Sequence, residues 1–163
     1  MATIAWLKVH NQDVFRRLVR ALRDAGNGDL RRDLVREIRA EGQPALAATK
    51  AAWATVDVTS SRGGGTKSTG LRGRIAGATK IQVQQNGIRV HVNPRQVDAR
   101  YGRTLTFGMN NMGTWKHPVF GNRNHWEKQW GQEVFYKTLE RYEPRWRRGI
   151  ERAMDRTARK LGM

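Results

Sequence analysis

Two short alternating runs around an Asn-Gly pair constrain the fold of this chain more than any other feature. Ile81 and Val83 alternate with glutamines before Asn86-Gly87, and residues 88–92, IRVHV, continue the alternation after it. Alternation with a period of two places the apolar side chains on one face of a strand. Asn-Gly is the preferred pair for a two-residue hairpin turn. The sequence therefore predicts an antiparallel hairpin here and excludes an all-helical fold.

The N-terminal third has the spacing of helices. An apolar residue recurs every four positions after Asn11, which predicts a first helix with Asn11 as its cap. Residues 26–29, GNGD, interrupt the pattern, and Asp29 is expected to start a second helix. Residues 41–44, EGQP, predict the next break, since Pro44 suits the first turn of a third, alanine-rich helix over residues 44–56. The apolar residues of these segments are Val14, Leu18, Leu22, Leu30, Leu34, Val35, Ile38 and Trp53.

Glycine and proline divide the second half. Three consecutive glycines in residues 60–70, SSRGGGTKSTG, predict a flexible basic loop before a short turn or helix. Irregular chain is expected after Pro94, followed by a strand over Arg103–Gly108. A long helix is expected from about Trp126 to the end, kinked or restarted at Pro144. Its apolar residues are Trp130, Val134, Phe135, Leu139, Trp146, Ile150 and Met154.

These elements together predict an α+β fold with N-terminal helices, a small antiparallel β-sheet that includes the hairpin, and a long C-terminal helix. The chain contains no internal repeat, and a single domain over residues 1–163 is expected. Within it, residues 1–42 form the N-terminal helical region. Residues 43–125 contain a helix, the sheet and loops, and residues 126–163 form the C-terminal helix.

The composition points to an anionic partner. The 163 residues carry a net charge of +17, and only 8 of the 31 basic residues are lysine. Arginine makes bidentate contacts with carboxylates and phosphates, so an acidic protein surface or a nucleic acid would fit. The arginine bias is also what a GC-rich genome produces. Hydrophobic residues make up 38% of the chain, which is low for a self-sufficient globule.

Several function classes are disfavoured. The chain has no cysteine, which excludes disulfides and thiolate chemistry. No apolar run approaches the roughly 20 residues of a membrane span. The first residues lack a signal-peptide core, so a cytoplasmic protein is expected unless it leaves within a larger particle.

Catalytic and metal-binding patterns are weak. His117 and His125 lie eight residues apart with Glu127 nearby, whereas zinc sites need three or four ligands at tighter spacing. The glycine-rich loop lacks the spacing of a phosphate-binding loop, and its serines have no nucleophile-elbow context. We therefore expect no enzyme, no cofactor and no metal. Non-specific nucleic-acid binding by the basic C-terminal helix is the alternative from another class, although no recognised nucleic-acid-binding motif is present.

Ordered short motifs from Pro44 to the end resemble a known family. They are residues 67–75, KSTGLRGRI, then the hairpin, then residues 105–121, LTFGMNNMGTWKHPVFG, and a closing helix with the dipeptide Arg145-Trp146. In this order they resemble the head–tail junction family of long-tailed siphophages, also called neck or tail-completion proteins. The W-x-H-P-V-F-G form is similar to versions from phages of actinobacteria.

The resemblance implies a structural virion protein of the phage neck. Such a protein forms a ring, a hexamer by analogy with the symmetry of tails, that joins the DNA-filled head to the tail as a head-to-tail connector. Its neighbours would be head-closure or connector proteins and tail-terminator or tail-tube proteins, with transient contact to genomic DNA in the lumen. A tail terminator or a head-closure stopper ring of the same junction is the nearest alternative. The implied location is the virion neck, and the host cytoplasm during assembly.

Under this interpretation, residues 114–126 form an architectural loop. Gly121 permits the turn into the last helix, with Asn124 as its candidate cap. Phe120 and Trp126 are expected in the core, whereas core and interface remain equal alternatives for Trp115. The glycine-rich loop becomes an arm that orders on a neighbouring ring. The candidate subunit-interface residues are Arg62, Lys67, Leu71, Arg72, Arg74, Trp115, His117, Phe120, Arg145, Arg148 and Arg152.

Overall fold

The computed structural model describes residues 12–56, 70–84, 87–111, 113–119 and 122–162. Over these ranges the protein has the expected α+β architecture, with paired long helices, two antiparallel hairpins and short connecting helices. The elements are α1 (Gln12–Asp24), α2 (Gly28–Thr55), α3 (Leu71–Ala78), β1 (Thr79–Gln84), β2 (Gly87–Val92), α4 (Pro94–Val97), α5 (Gly102–Asn110), β3 (Gly113–Val119), β4 (Asn122–Gly131) and α6 (Val134–Lys160).

The expected interruption between the first two helices is confirmed. Gly26 has a φ of 62°, the left-handed conformation that ends a helix at little cost for glycine. Asn27 caps α2, because its side-chain oxygen accepts a hydrogen bond from the Leu30 amide at 3.2 Å. The expected cap Asn11 lies outside the described residues.

The predicted break at residues 41–44 is wrong, because α2 runs through it as one helix of 28 residues. Pro44 lies in the helix interior with its ring exposed to solvent. Gly42 is buried, and a Cβ there would lie 2.8 Å from the indole of Trp146. Gly42 is thus the point where α6 contacts α2. The segment predicted as a third helix, residues 44–56, forms the second half of α2.

The long helices α2 and α6 form the centre of the core. The predicted face of α6 is confirmed, since Trp146, Ile150 and Met154 are buried. Pro144 does not end α6, which runs for 27 residues. Gly149 of α6, next to Ile150, is also buried, and a Cβ there would overlap the Glu41 side chain of α2. Small residues on both helices therefore bring the two backbones close together.

The predicted hairpin is confirmed as β1 and β2. Its register pairs Ile81 with Val90 and Val83 with Ile88. Ile88 and Val90 are fully buried, and Ile81 packs against the core. The hairpin does not belong to a larger sheet, because β1–β2 and β3–β4 form two separate two-stranded sheets. Residues 71–78 form the helix α3, one of the two outcomes predicted for this segment.

Several predictions for the second half of the chain are wrong. Arg103–Gly108 belongs to helix α5 rather than to a strand, and residues 94–97 form the short helix α4. The aromatic segment is the hairpin β3–β4 rather than a loop, so Asn124 lies in a strand and caps no helix. Trp126 is 55% exposed rather than buried.

The last helix begins at Val134 instead of near Trp126. Its start is set from outside the local sequence, because the buried Asn110 side chain accepts a hydrogen bond from the Phe135 amide at 2.9 Å. The preceding Gln132 amide donates to the carbonyl of Met109, also at 2.9 Å. Residues 126–131 are therefore strand, and Trp130 does not contribute to the apolar face of α6.

Candidate protein-interaction surfaces

The candidates on α3 have mainly intramolecular roles. Leu71 is half-buried and packs against the core. The Arg72 guanidinium donates a 2.7 Å hydrogen bond to the carbonyl of Val56, the residue that follows the last turn of α2. Arg72 thus satisfies a carbonyl at a helix C-terminus, where a positive charge is also favourable. Arg74 is exposed and remains available to a partner.

Trp115 and His117 project from the same face of β3. Their rings lie 4.7 Å apart between centroids, and both side chains are half-buried. A Cβ on Gly108 of α5 would overlap the Trp115 indole, so the indole packs directly on that helix. Trp115 therefore fixes the hairpin to α5, which favours the core alternative over the interface one.

Arg145, Arg148 and Arg152 lie on one exposed face of α6, at spacings of three and four residues. They belong to a longer row of exposed cations, which we call the α6 basic stripe. At 1.5 Å per residue the stripe is about 33 Å long. Most of it lies away from the buried face of the helix, whereas Arg152 at its edge reaches Glu41 of α2. Its members are Lys137, Arg141, Arg145, Arg148, Arg152 and Arg159, and the exposed Asp155 interrupts it between the last two arginines.

Arginines satisfy many of the carboxylates within the chain. Between the long helices, Arg156 lies 2.8 Å from Glu37 and Arg152 lies 3.4 Å from Glu41. Five further ion pairs join residues three or four apart on one helix, or neighbours in sequence. The described carboxylates that pair with arginine are Asp13, Asp24, Asp29, Asp33, Glu37, Glu41 and Glu143. Because arginines outnumber these carboxylates, the remaining surface is basic.

The outer face of the β3–β4 hairpin is a surface that the sequence analysis missed. Trp126 and Trp130 are 55% and 62% exposed, and both point to this side of β4. Between them lies Lys128, directly opposite Lys116 on β3, and both lysines are exposed. We call these four side chains the Trp-Lys face. The alternation W-x-K-x-W after Gly121-Asn122, a common hairpin turn pair, was the signal that could have identified it.

The candidate residues do not form a single site. They occupy three elements, namely α3, the inner face of β3 and the exposed face of α6. Arg62, Lys67 and Phe120 lie outside the described residues. Among the side chains that the structure describes, no three His, Asp or Glu residues form a group able to hold a metal ion. Along the described part of the chain, no helix has the length and apolar character that a bilayer span requires.

Two titratable groups differ from their ordinary behaviour. The pKa of His91 on β2 is lowered, mainly because burial disfavours the imidazolium, and next because Arg89 lies nearby. The pKa of Asp98 is lowered because its carboxylate accepts hydrogen bonds from the amides of Tyr101 and Arg100, at 2.7 and 2.9 Å. Asp98 thereby organises the turn that leads into α5.

No protein-family model, no curated protein and no solved structure matches this chain.

Proposed function

We propose that the protein is a structural subunit of the phage neck, where it forms a ring that joins the DNA-filled head to the tail. The observation that carries the proposal is the ordered set of motifs from residue 67 to the closing helix, which resembles the head–tail junction family. The described part of this region contains α3, the β1–β2 hairpin, an aromatic segment and a long closing helix, in that order. Residues 105–110 are helical, whereas the sequence analysis expected a strand over Arg103–Gly108.

The surfaces support a role in assembly. The α6 basic stripe and the Trp-Lys face are both exposed, and they lie on different elements. Tryptophan and arginine are the residue types most enriched at the energetic centres of protein interfaces. Ring formation and attachment to neighbouring rings both require such exposed surfaces. A subunit of this kind gains stability from its assembly, which fits the low apolar content of the chain.

A tail-terminator or head-closure ring of the same junction fits these surfaces equally well. All three assignments share a ring of copies between head and tail, and they differ in which neighbours the ring contacts. Copurification of the assembled ring with filled heads would favour a head-closure position. Copurification with tails would favour a terminator position.

Deletion of the gene from its phage tests the proposal most directly. We expect electron micrographs of the lysate to show filled heads beside separate tails, with infectivity restored when the gene is supplied in trans. Deletion of a gene required for tail assembly provides a control, because that lysate should contain filled heads and no tails. Intact infectious particles without this gene would contradict the proposal.

The α6 basic stripe specifically favours one other function, non-specific binding of nucleic acid. Its exposed cations extend over about 33 Å, with Asp155 among them, and could contact phosphates along roughly one turn of duplex DNA, which repeats every 34–36 Å. Such binding would weaken steeply with salt, because each phosphate contact releases counterions. Fluorescence anisotropy with a labelled duplex separates the alternatives. Sub-micromolar affinity at physiological salt, lost when Arg145 and Arg148 become glutamine, would favour nucleic-acid binding over a neck role.

A further inference from the structure

We propose that the Trp-Lys face of the β3–β4 hairpin docks an acidic surface of a different virion protein next to this ring. This inference rests on the proposed neck function and adds to it the surface and the chemistry of its partner. The face is distinct from the interface residues expected from the sequence, because Trp115 and His117 lie on the opposite side of the same hairpin.

The two sides of the hairpin differ in what covers them. On the inner side, Trp115 packs on Gly108, and a Cβ on Gly131 would overlap backbone oxygens of α5 and its C-cap. On the outer side, Trp126 and Trp130 remain more than half exposed. Burial of this outer side by a partner would remove the two exposed indoles from water.

The arrangement of the charges indicates an acidic partner. Lys116 and Lys128 occupy the same rung of the hairpin, and like charges directly opposite each other destabilise a strand pair. Within the described ranges, neither lysine forms an ion pair that would offset this repulsion. Carboxylates from a partner would offset it. The flanking tryptophans, about 13 Å apart along the strand, would bury large apolar surfaces on either side of the charged centre.

A second copy of this chain is a poor occupant for the face. Seven of its described carboxylates are already paired with arginine, and Glu127 is buried. Another protein is therefore the better source of an acidic surface.

A nucleic acid fits less well than an acidic protein. Single-stranded binding combines stacking aromatics with a basic groove that follows the backbone. Here the described cations of the hairpin's outer face are two lysines paired across the strands, with Cβ atoms about 5 Å apart. They form a compact positive charge and not an extended basic groove. A compact positive point between two tryptophans matches a small acidic group with apolar surroundings.

Assembly in vitro tests the inference. An extract from a phage that lacks the gene supplies filled heads and free tails, and purified full-length protein is added before infectious particles are counted. We expect the wild-type protein to restore infectivity. The double variant Trp126→Ala, Trp130→Ala should restore at least about 100-fold fewer particles, because each indole is expected to be an interface hot spot. Phe107→Ala provides the matched control, since Phe107 is 59% exposed on α5, outside the face, and should behave as wild type.

The results distinguish the failure of each proposal. If the wild-type protein restores nothing, the neck function and this inference are both overturned. If wild type and the double tryptophan variant restore infectivity equally, only the docking inference is overturned. Should that variant fail to fold by circular dichroism, Lys116→Glu with Lys128→Glu gives the same test and keeps both indoles.

Suppressors of the charge-reversal variant identify the occupant. We expect second-site revertants to replace an acidic residue by lysine or arginine in the gene of another virion protein. Revertants within this gene, or loss of oligomers in native mass spectrometry of the tryptophan variant, would identify a second copy and overturn the inference. Binding of a labelled oligo(dT) that requires both tryptophans would identify a nucleic acid, with the same consequence.

Discussion

Gly42 of α2 lies directly against the indole of Trp146 of α6, so that a Cβ at position 42 would come within 2.8 Å of the ring. The contact sits where the two longest helices of the protein pack, and both residues are buried. The glycine is therefore required by the approach of the indole and not by a break in the helix.

The first prediction concerns this contact. Gly42→Ala should lower the free energy of unfolding by about 1–3 kcal/mol, because an extra methyl group in a packed core forces its neighbours to move. Gly73→Ala is the matched control, since a Cβ there meets no atom within 4 Å. It should be neutral or stabilise by up to about 1 kcal/mol through the unfolded state. Urea denaturation measures both variants, and equal stabilities would contradict the packing argument.

The second prediction concerns the start of α6. Asn110→Ala should cost about 1–2 kcal/mol, because it removes the acceptor for the Phe135 amide and leaves a buried donor unsatisfied. Asn110→Asp keeps an acceptor oxygen in place and should lose less. Denaturation gives the stabilities, and amide hydrogen exchange at Phe135 reports the local effect. Unchanged exchange in the alanine variant would argue against this cap.

The third prediction concerns pH. Because the pKa of His91 in the folded protein lies below its ordinary value, the unfolded chain binds more protons between that pKa and about 6.5. Stability should therefore rise with pH across this window and fall as the pH drops through the folded pKa. His91→Gln should flatten the dependence. Denaturation midpoints at about pH 5 and about pH 7.5 measure it, and an NMR titration that places the His91 pKa at or above 6.5 would refute the sign.

The fourth prediction concerns the ion pair between Glu37 and Arg156. Their nitrogen and oxygen atoms lie 2.8 Å apart, yet the side chains are 28% and 43% exposed. A double-mutant cycle with Glu37→Gln and Arg156→Gln should give a coupling of about 0.2–1 kcal/mol, since solvent screens such pairs. The coupling should shrink in concentrated salt. A salt-independent coupling of several kcal/mol would mean that the pair is effectively buried.

The local sequence was sufficient to predict an element where its pattern is compatible with only one kind of secondary structure. The alternation around Asn86-Gly87 specified the β1–β2 hairpin, and the spacing of Trp146, Ile150 and Met154 specified the buried face of α6. In both cases the period of the apolar residues determines which side chains face the core, whatever lies opposite them.

Tertiary structure decided the segments whose local signals conflict. Residues 41–44 resemble a break, but packing against Trp146 holds α2 together through Gly42 and Pro44. Residues 126–131 were expected in the last helix, but pairing with β3 and docking on α5 make them a strand. The helix then begins where Asn110, 25 residues earlier than Phe135, supplies its cap. Such contacts join residues far apart in sequence, so their effect depends on geometry that local patterns do not contain.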